Sequence, residues 1–289
     1  MSRTEHLVTA ADLAEELAGE GSPVLLDVRW HLADAPGAGR ARYAAGHLPG
    51  ARFLDLEAVL TEHTGDPRDG RHPLPDPATL TVGLGALGVR ADSDVVVYDE
   101  AGSFAADRAW WVLRWAGIRT RVLDGGITAW SSWSARAGEG VGGDLERGAP
   151  AFWAPTTPTL VTGRMPSITA DEAAHWAEHG TLVDVRAGER YRGETEPLDP
   201  RAGHIPGAVN ALHAATLFTP DGHLPSDEDL RGAAGDLVDG AGLAAYCGSG
   251  VSAAHSILAL AVIDVPAALF PGSWSAWSND PGRPAATGP

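Results

Sequence analysis

The sequence predicts an α/β protein: two tandem copies of one unit, each a parallel β-sheet flanked by helices. One observation behind this is an internal repeat. Val24-Leu-Leu-Asp-Val-Arg29 returns as Thr181-Leu-Val-Asp-Val-Arg186, and Gly46-His-Leu-Pro-Gly-Ala51 as Gly203-His-Ile-Pro-Gly-Ala208. Asp124-Gly-Gly-Ile-Thr-Ala-Trp130 aligns with Pro271-Gly-Ser-Trp-Ser-Ala-Trp277, and Val95-Val-Val-Tyr-Asp99 with Leu243-Ala-Ala-Tyr-Cys247. A looser echo joins Gly70-Arg-His-Pro-Leu-Pro75 to Asp221-Gly-His-Leu-Pro225. Matches in the same order along both halves mark a duplication. Another observation is alternation of short apolar runs, the form taken by strands covered on both faces, with helical periodicities. Length is the third: 289 residues are long for one core and suit two domains.

The elements follow in order. Thr9 caps a helix whose apolar residues fall at helical spacing, and Thr169 caps its counterpart. Residues 24–28 and 182–185 read as buried strands, as does 93–98, which is followed by a helix over 105–116 and a strand over 119–123. Residues 138–161 are rich in Gly, Pro and Thr with little periodicity, the signature of a linker. The expected division is 1–137 for the first domain, 138–165 for the linker and 166–289 for the second domain.

Composition narrows the function. Hydrophobic content of 44% with 20% charged residues is ordinary for a globular protein. The formal net charge of −17 argues against nucleic acid and anionic membrane surfaces as partners. An acidic protein that handles an anion needs a local cluster of arginine. A single cysteine excludes an internal disulfide and is compatible with a reducing compartment. No signal-peptide layout opens the chain and no run of about 20 apolar residues is present, so a cytoplasmic protein is expected.

The single cysteine, Cys247, lies between a strand and a helix in Cys247-Gly-Ser-Gly-Val-Ser-Ala253. Gly248 and Gly250 let the backbone curl so that successive N–H groups turn inward, and the helix adds the positive end of its dipole. Such a nest stabilises a thiolate below the free-thiol pKa of about 8.5. Cys247 is therefore a candidate anionic sulfur nucleophile.

Together, the tandem α/β halves, the Gly-His-Leu/Ile-Pro-Gly-Ala turns and the Cys247 loop resemble the rhodanese-type sulfurtransferases over essentially the whole chain. The loop Cys-Gly-Ser-Gly-Val-Ser-Ala is similar to the form found in 3-mercaptopyruvate sulfurtransferases. Thiosulfate-preferring members usually carry basic residues directly after the cysteine, where this chain has Gly248 and Ser249. The resemblance implies two rhodanese-like domains of which only the second is catalytic. In agreement, Asp99 occupies the first-half position of Cys247 and reads as a carboxylate capping the next helix.

Sulfur transfer through a persulfide needs a thiolate, a seat for the transferred sulfur and a grip on an anionic donor. Cys247 supplies the thiolate. Backbone N–H groups of Gly248, Ser249, Gly250, Val251 and Ser252 are expected to cradle the outer sulfur. The hydroxyls of Ser249 and Ser252 either add hydrogen bonds or serve the turn. The resemblance assigns the substrate carboxylate to Arg190, the first arginine of Arg190-Tyr-Arg-Gly193. Arg192 is open to being a solvated surface charge. Arg186 beside Asp184, repeated as Arg29 beside Asp27, reads as structural. The family's second substrate arginine has no clear match, since Glu196-Pro-Leu-Asp-Pro-Arg201 departs from the pattern and leaves Arg201 as a substitute. A serine–histidine–acid relay is implied with His72 as the histidine and Asp55 or Glu57 as the acid. His47 and His204 recur in both halves and read as architectural. Trp110, Trp111 and Trp115 read as core or interface, and Trp274 as core or pocket wall.

The expected activity moves sulfane sulfur from 3-mercaptopyruvate to Cys247 and on to a thiol or cyanide, releasing pyruvate. Thiosulfate as donor is the alternative, and a non-enzymatic sulfur carrier a further one. A phosphatase on this fold would need Cys-x5-Arg, and the sixth residue after Cys247 is Ala253. No metal or organic cofactor is implied. With no second cysteine, an external thiol must take the sulfur, thioredoxin or a low-molecular-weight thiol.

Overall fold

The computed structural model describes residues 3–137, 144–149, 153–239 and 242–289. The first half runs β1 (Leu7–Val8), α1 (Ala10–Ala18), β2 (Val24–Asp27), α2 (Ala38–Ala45), β3 (Arg52–Phe53), α3 (Leu56–Val59), α4 (Pro77–Ala86), β4 (Asp94–Tyr98), α5 (Ala105–Trp115), β5 (Arg119–Leu123) and α6 (Gly126–Ala137). The second runs α7 (Ala170–His179), β6 (Thr181–Asp184), α8 (Gly188–Tyr191), β7 (Val209–Asn210), α9 (Asp227–Ala234), β8 (Leu243–Tyr246), α10 (Ser252–Val262), β9 (Ala268–Leu269) and α11 (Ser273–Asn279).

All the strand pairs are parallel, in the orders β1-β5-β4-β2-β3 and β7-β6-β8-β9. A parallel bridge from Ser167 to Leu269 stands where β1 stands in the first sheet, so the two sheets repeat one topology. Past Asp94 at the start of β4 their central strands are buried, as Val95, Val96, Val97 and Leu243, Ala244, Ala245 attest. Helices on both faces demand this apolar continuity. Each fully buried side chain of the size of Leu26 or Val97 contributes roughly 2 kcal/mol.

The repeat extends to polar detail. Arg29 donates to both carboxylate oxygens of Asp27 and to Gly46 O, and Arg186 does the same with Asp184 and Gly203 O. His47 stacks on Tyr43 at 3.9 Å, and His204 on Tyr191 at 3.7 Å. In each half the tyrosine at the end of the central strand, Tyr98 or Tyr246, accepts from the amide after that histidine. These arrangements hold the Gly-His-x-Pro-Gly-Ala turns in both halves, which is why the pattern recurs where no nucleophile exists.

One continuous apolar cluster spans both halves, from Leu26, Val97, Trp110 and Trp111 to Val183, Leu243 and Ile257. Helix α5 packs against α10, its repeat-equivalent, across this interface. There Asp107 Oδ2 meets His255 Nδ1 at 2.7 Å, while His255 Nε2 faces Leu217 O at 3.0 Å. The segment following the first half is laid on it: Thr156 N donates to Gly85 O, and Val161 N and Arg164 N to the end of α5. Residues 138–143 and 150–152 of the expected linker lie outside the described residues.

Candidate active site

Between the halves lies a cleft of about 380 Å³, lined on one side by Cys247, Gly248, Ser249, Val251 and Ser252. The opposite walls are Trp30, His31, Leu32 and Glu100–Ala105 of the first half, closed at one end by Arg71 and Arg190. Cys247 is buried at the end of β8, and the chain turns back through Gly250 at φ +79° before α10 begins. The Gly250 N–H donates to Cys247 Sγ at 3.1 Å. A side chain at Gly250 would put its Cβ 2.5 Å from Pro271 O, so only glycine fits this turn. Among the described residues the amides of Gly248, Ser249 and Val251 have no protein acceptor, which leaves them to a ligand.

The start of α11 clamps the loop from behind. Cys247 N donates to Ser273 Oγ at 3.2 Å, Trp274 N to Cys247 O at 3.0 Å and Ser275 N to Gly248 O at 2.8 Å. Ser273 holds φ +53°, and its hydroxyl is fixed by donating to Phe270 O. Ser275 Oγ accepts from the amide of Arg71, so the same helix end docks the first half's loop beside the cysteine.

Two arginines from opposite halves frame the cleft beside Gly248. A Cβ on Gly248 would lie 3.1 Å from Arg71 Nη2 and 3.5 Å from Arg190 Nη1. Arg190 is held by Glu196 at 2.7 Å and by Asp199 at 3.5 Å. Arg71 Nη1 pairs with Asp199 in a short contact. Burial pushes the Asp199 carboxyl up, with Arg71 opposing. Glu196 is itself fixed by the amides of Leu198 and Asp199 and shared with Arg186.

Behind Arg71, His72 is buried with Nε2 3.2 Å from Glu57 Oε1 and its ring edge-on to Trp30. This hydrogen bond holds the Glu57 carboxyl below its ordinary range. Asp55 instead caps α3, accepting from the amides of Glu57 and Ala58. Of the two candidate acids, Glu57 is thus the one joined to His72. No hydrogen bond joins His72 to Ser249.

Both halves match the rhodanese-like domain model, over residues 9–132 and 169–280. The chain belongs to the rhodanese family. It is 45% identical over 295 residues to SseB of Mycobacterium tuberculosis, which carries a provisional thiosulfate sulfurtransferase name, with 99% of each chain covered. It is also 36% identical over 245 residues to the 3-mercaptopyruvate sulfurtransferase of Escherichia coli, covering 81% of each. The crystal structure of SseA from E. coli, titled as a 3-mercaptopyruvate sulfotransferase, superposes with a TM-score of 0.77 at 31% identity, covering 93% of this chain and 98% of that one.

Within this rhodanese chain, the cleft gathers Cys247, Gly248, Ser249, Val251, Ser252 and Arg190 on its wall, with Gly250 turning beneath them. Arg192 pairs with Glu194 on the surface, away from the cleft. Arg201 is not a substitute substrate arginine: its guanidinium is spent on the carbonyls of Trp277, Ser278, Asp280 and Arg283. Trp274 is core, beneath Arg186 at 4.8 Å, with Nε1 on Arg201 O. Asp99 caps α5 by accepting from Ala106 N, as expected for the half without a nucleophile. Sequence reasoning missed Arg71, although it directly precedes His72 in the quoted motif. It also missed Asp199, Ser273 and Ser275. The available signal for Arg71 was the basic–basic pair in a loop of the half that lacks the cysteine.

Among the described residues no helix is long and apolar enough to cross a membrane. Nor do they hold a group of three His, Cys, Asp or Glu able to bind a metal.

Proposed function

We propose that the protein is a sulfurtransferase that takes sulfane sulfur from 3-mercaptopyruvate onto Cys247 and passes it to an external thiol or cyanide. The carrying observation is the cysteine in a cradle of unspent amides, with arginines from both halves converging beside it. The Cys247 thiolate attacks the thiol sulfur of the donor, forming an S–S bond. The donor's C–S bond breaks, its electron pair leaving on carbon as the enolate of pyruvate, which takes a proton. Cys247 is left as a persulfide whose outer sulfur faces the amides of Gly248–Ser252. An acceptor thiolate then attacks that outer sulfur and restores the Cys247 thiolate.

Arg190 and Arg71 are assigned the donor carboxylate, which their planar forks match in a bidentate way. Asp199 and Glu196 hold them in place. Ser249 is assigned delivery of the proton to the enolate, backed by His72 and Glu57. With one cysteine in the chain the acceptor is external, and a reducing cytoplasm with thioredoxin or a low-molecular-weight thiol suits a working free thiol. We take residues 1–137 as the supporting domain, 138–165 as linker and 166–289 as the catalytic domain.

The test is steady-state kinetics with 3-mercaptopyruvate and with thiosulfate on the native protein and on Cys247→Ser. The expected result is preference for 3-mercaptopyruvate and loss of turnover in the variant. Turnover retained by Cys247→Ser overturns the mechanism, and preference for thiosulfate overturns the donor alone.

A further inference from the structure

Arg108 sits on α5 of the first half, within the apolar run Ala105-Ala-Asp-Arg-Ala-Trp-Trp-Val112, and is completely buried. A buried guanidinium ordinarily finds a carboxylate, because an unpaired charge in the interior is costly. Arg108 has none within ion-pair distance among the described residues. Instead Nη2 donates to His72 O at 2.9 Å and Nη1 reaches Gly250 O at 3.3 Å, while Nε has no partner. One side chain therefore ties the loop carrying Arg71 and His72 to the turn that carries the cysteine. Gly250 is also the residue whose N–H points at Cys247 Sγ.

The charges around the cleft show what this cation is for. Arg186 is matched by Asp184 and Glu196, Arg190 by Glu196 and Asp199, and Arg71 by Asp199. On the far wall Glu100 meets His31, His72 meets Glu57, and one turn into α10 His255 meets Asp107. Each of these side chains already has a partner before any sulfur is ionised. Burial lowers the Arg108 guanidinium to about 10, with the Cys247 sulfur acting in the opposite sense, so it stays charged at neutral pH. In the second half the repeat places His255 where the first has Arg108, and its ring is spent on Asp107 and Leu217 O. The unpaired guanidinium comes from the first half, toward the half with the cysteine.

We propose that Arg108 is a positioning residue for the sulfur chemistry: acting through Gly250, it fixes the turn and provides the counter-charge for an anionic sulfur on Cys247. The first domain then completes the nucleophile of the second as well as walling the cleft. This rests on Cys247 being the reactive thiol of the proposed function, yet it is read without turnover.

The test is the rate of alkylation of Cys247 by iodoacetamide, a neutral reagent that reacts with the thiolate, followed across pH on the donor-free protein. As Cys247 is the only cysteine, the rate reports it alone. Arg108→Gln keeps a donor for the two carbonyls without the charge, and Arg108→Lys keeps the charge. In Arg108→Gln the rate at neutral pH is expected to fall about tenfold and the profile to move to higher pH, the low end of what loss of a nearby opposite charge does. Arg108→Lys is expected to recover most of the rate. A native profile in Arg108→Gln overturns the proposal, as does a lysine variant no better than the glutamine one. Should Arg108→Gln not fold, the lysine variant decides alone: a native-like profile supports the counter-charge and a displaced one overturns it. Failure of the function itself would show separately, as turnover by Cys247→Ser.

Discussion

Two glycines in one loop are expected to fail in different ways when each is given a methyl group. Gly250 sits at φ +79°, and its Cβ would stand 2.5 Å from the backbone oxygen of Pro271, which has no freedom to yield. The left-handed conformation costs a non-glycine residue about 1–2 kcal/mol, and relieving the contact must shift the turn as well. For a protein of this size 2 kcal/mol corresponds to a fall in Tm of roughly 4–8 °C. A shifted turn also withdraws the N–H that points at Cys247 Sγ, and losing one such donor costs about 100- to 1,000-fold in kcat. Gly248 is different. Its φ is not in the left-handed region, and its Cβ would meet the tips of Arg71 and Arg190, which can swing away. Gly248→Ala is therefore expected to leave Tm within about 1 °C while raising KM for the donor several-fold, since it perturbs the ends of flexible side chains. Thermal unfolding by circular dichroism and the initial rate of pyruvate release, measured on both variants, separate the cases. Gly250→Ala with native stability and rate, or the two patterns interchanged, would refute this reading of the loop.

Four other substitutions discriminate grip from scaffold and expose a buried acid. Arg71→Leu and Arg190→Leu should each raise KM for 3-mercaptopyruvate about tenfold or more, the worth of one charged hydrogen bond, and an unchanged KM in both removes them from the substrate. Arg201→Ala leaves the carbonyls of Trp277, Ser278, Asp280 and Arg283 without their donor, so urea unfolding should register the loss while KM stays native. The Asp99 carboxyl is pushed up to about 8, by burial first and by the neighbouring Asp107 carboxylate second. Its contribution to stability is therefore complete below its ordinary value of 3.8 and is lost as pH rises through about 8. Asp99→Asn keeps the oxygen that caps α5 and removes the titration. Its Tm should gain on the native protein steadily between pH 4 and pH 8, and a difference independent of pH would contradict this assignment.

The duplicated fold was legible because each half spells the same local physics: an apolar strand, an arginine two residues past an aspartate, a glycine–histidine turn. The Asp27–Arg29 and Asp184–Arg186 pairs close within two residues, so spacing alone exposes them. The cysteine loop was legible for the same reason, being one contiguous turn with its glycines in place. What escaped are contacts made across long stretches of chain. Arg71 meets a carboxylate 128 residues away, and Arg108 a carbonyl 142 residues away. Neither separation leaves a periodic trace. The departure seen in Glu196–Arg201 pointed to a missing arginine there; the structure places carboxylates in that segment and an arginine of the other half against them. An arginine set in the tryptophan-rich face of α5 was the remaining visible clue, since a charge in so apolar a run needs a reason to be buried.

The most direct test of sulfur transfer through Cys247 is the intact mass of the protein after brief exposure to 3-mercaptopyruvate without an acceptor, followed by addition of a thiol. The native chain should gain the mass of one sulfur atom and lose it again when the thiol is added, while Cys247→Ser gains none. Pyruvate release with no added mass on the native chain, or the same gain on Cys247→Ser, would contradict it.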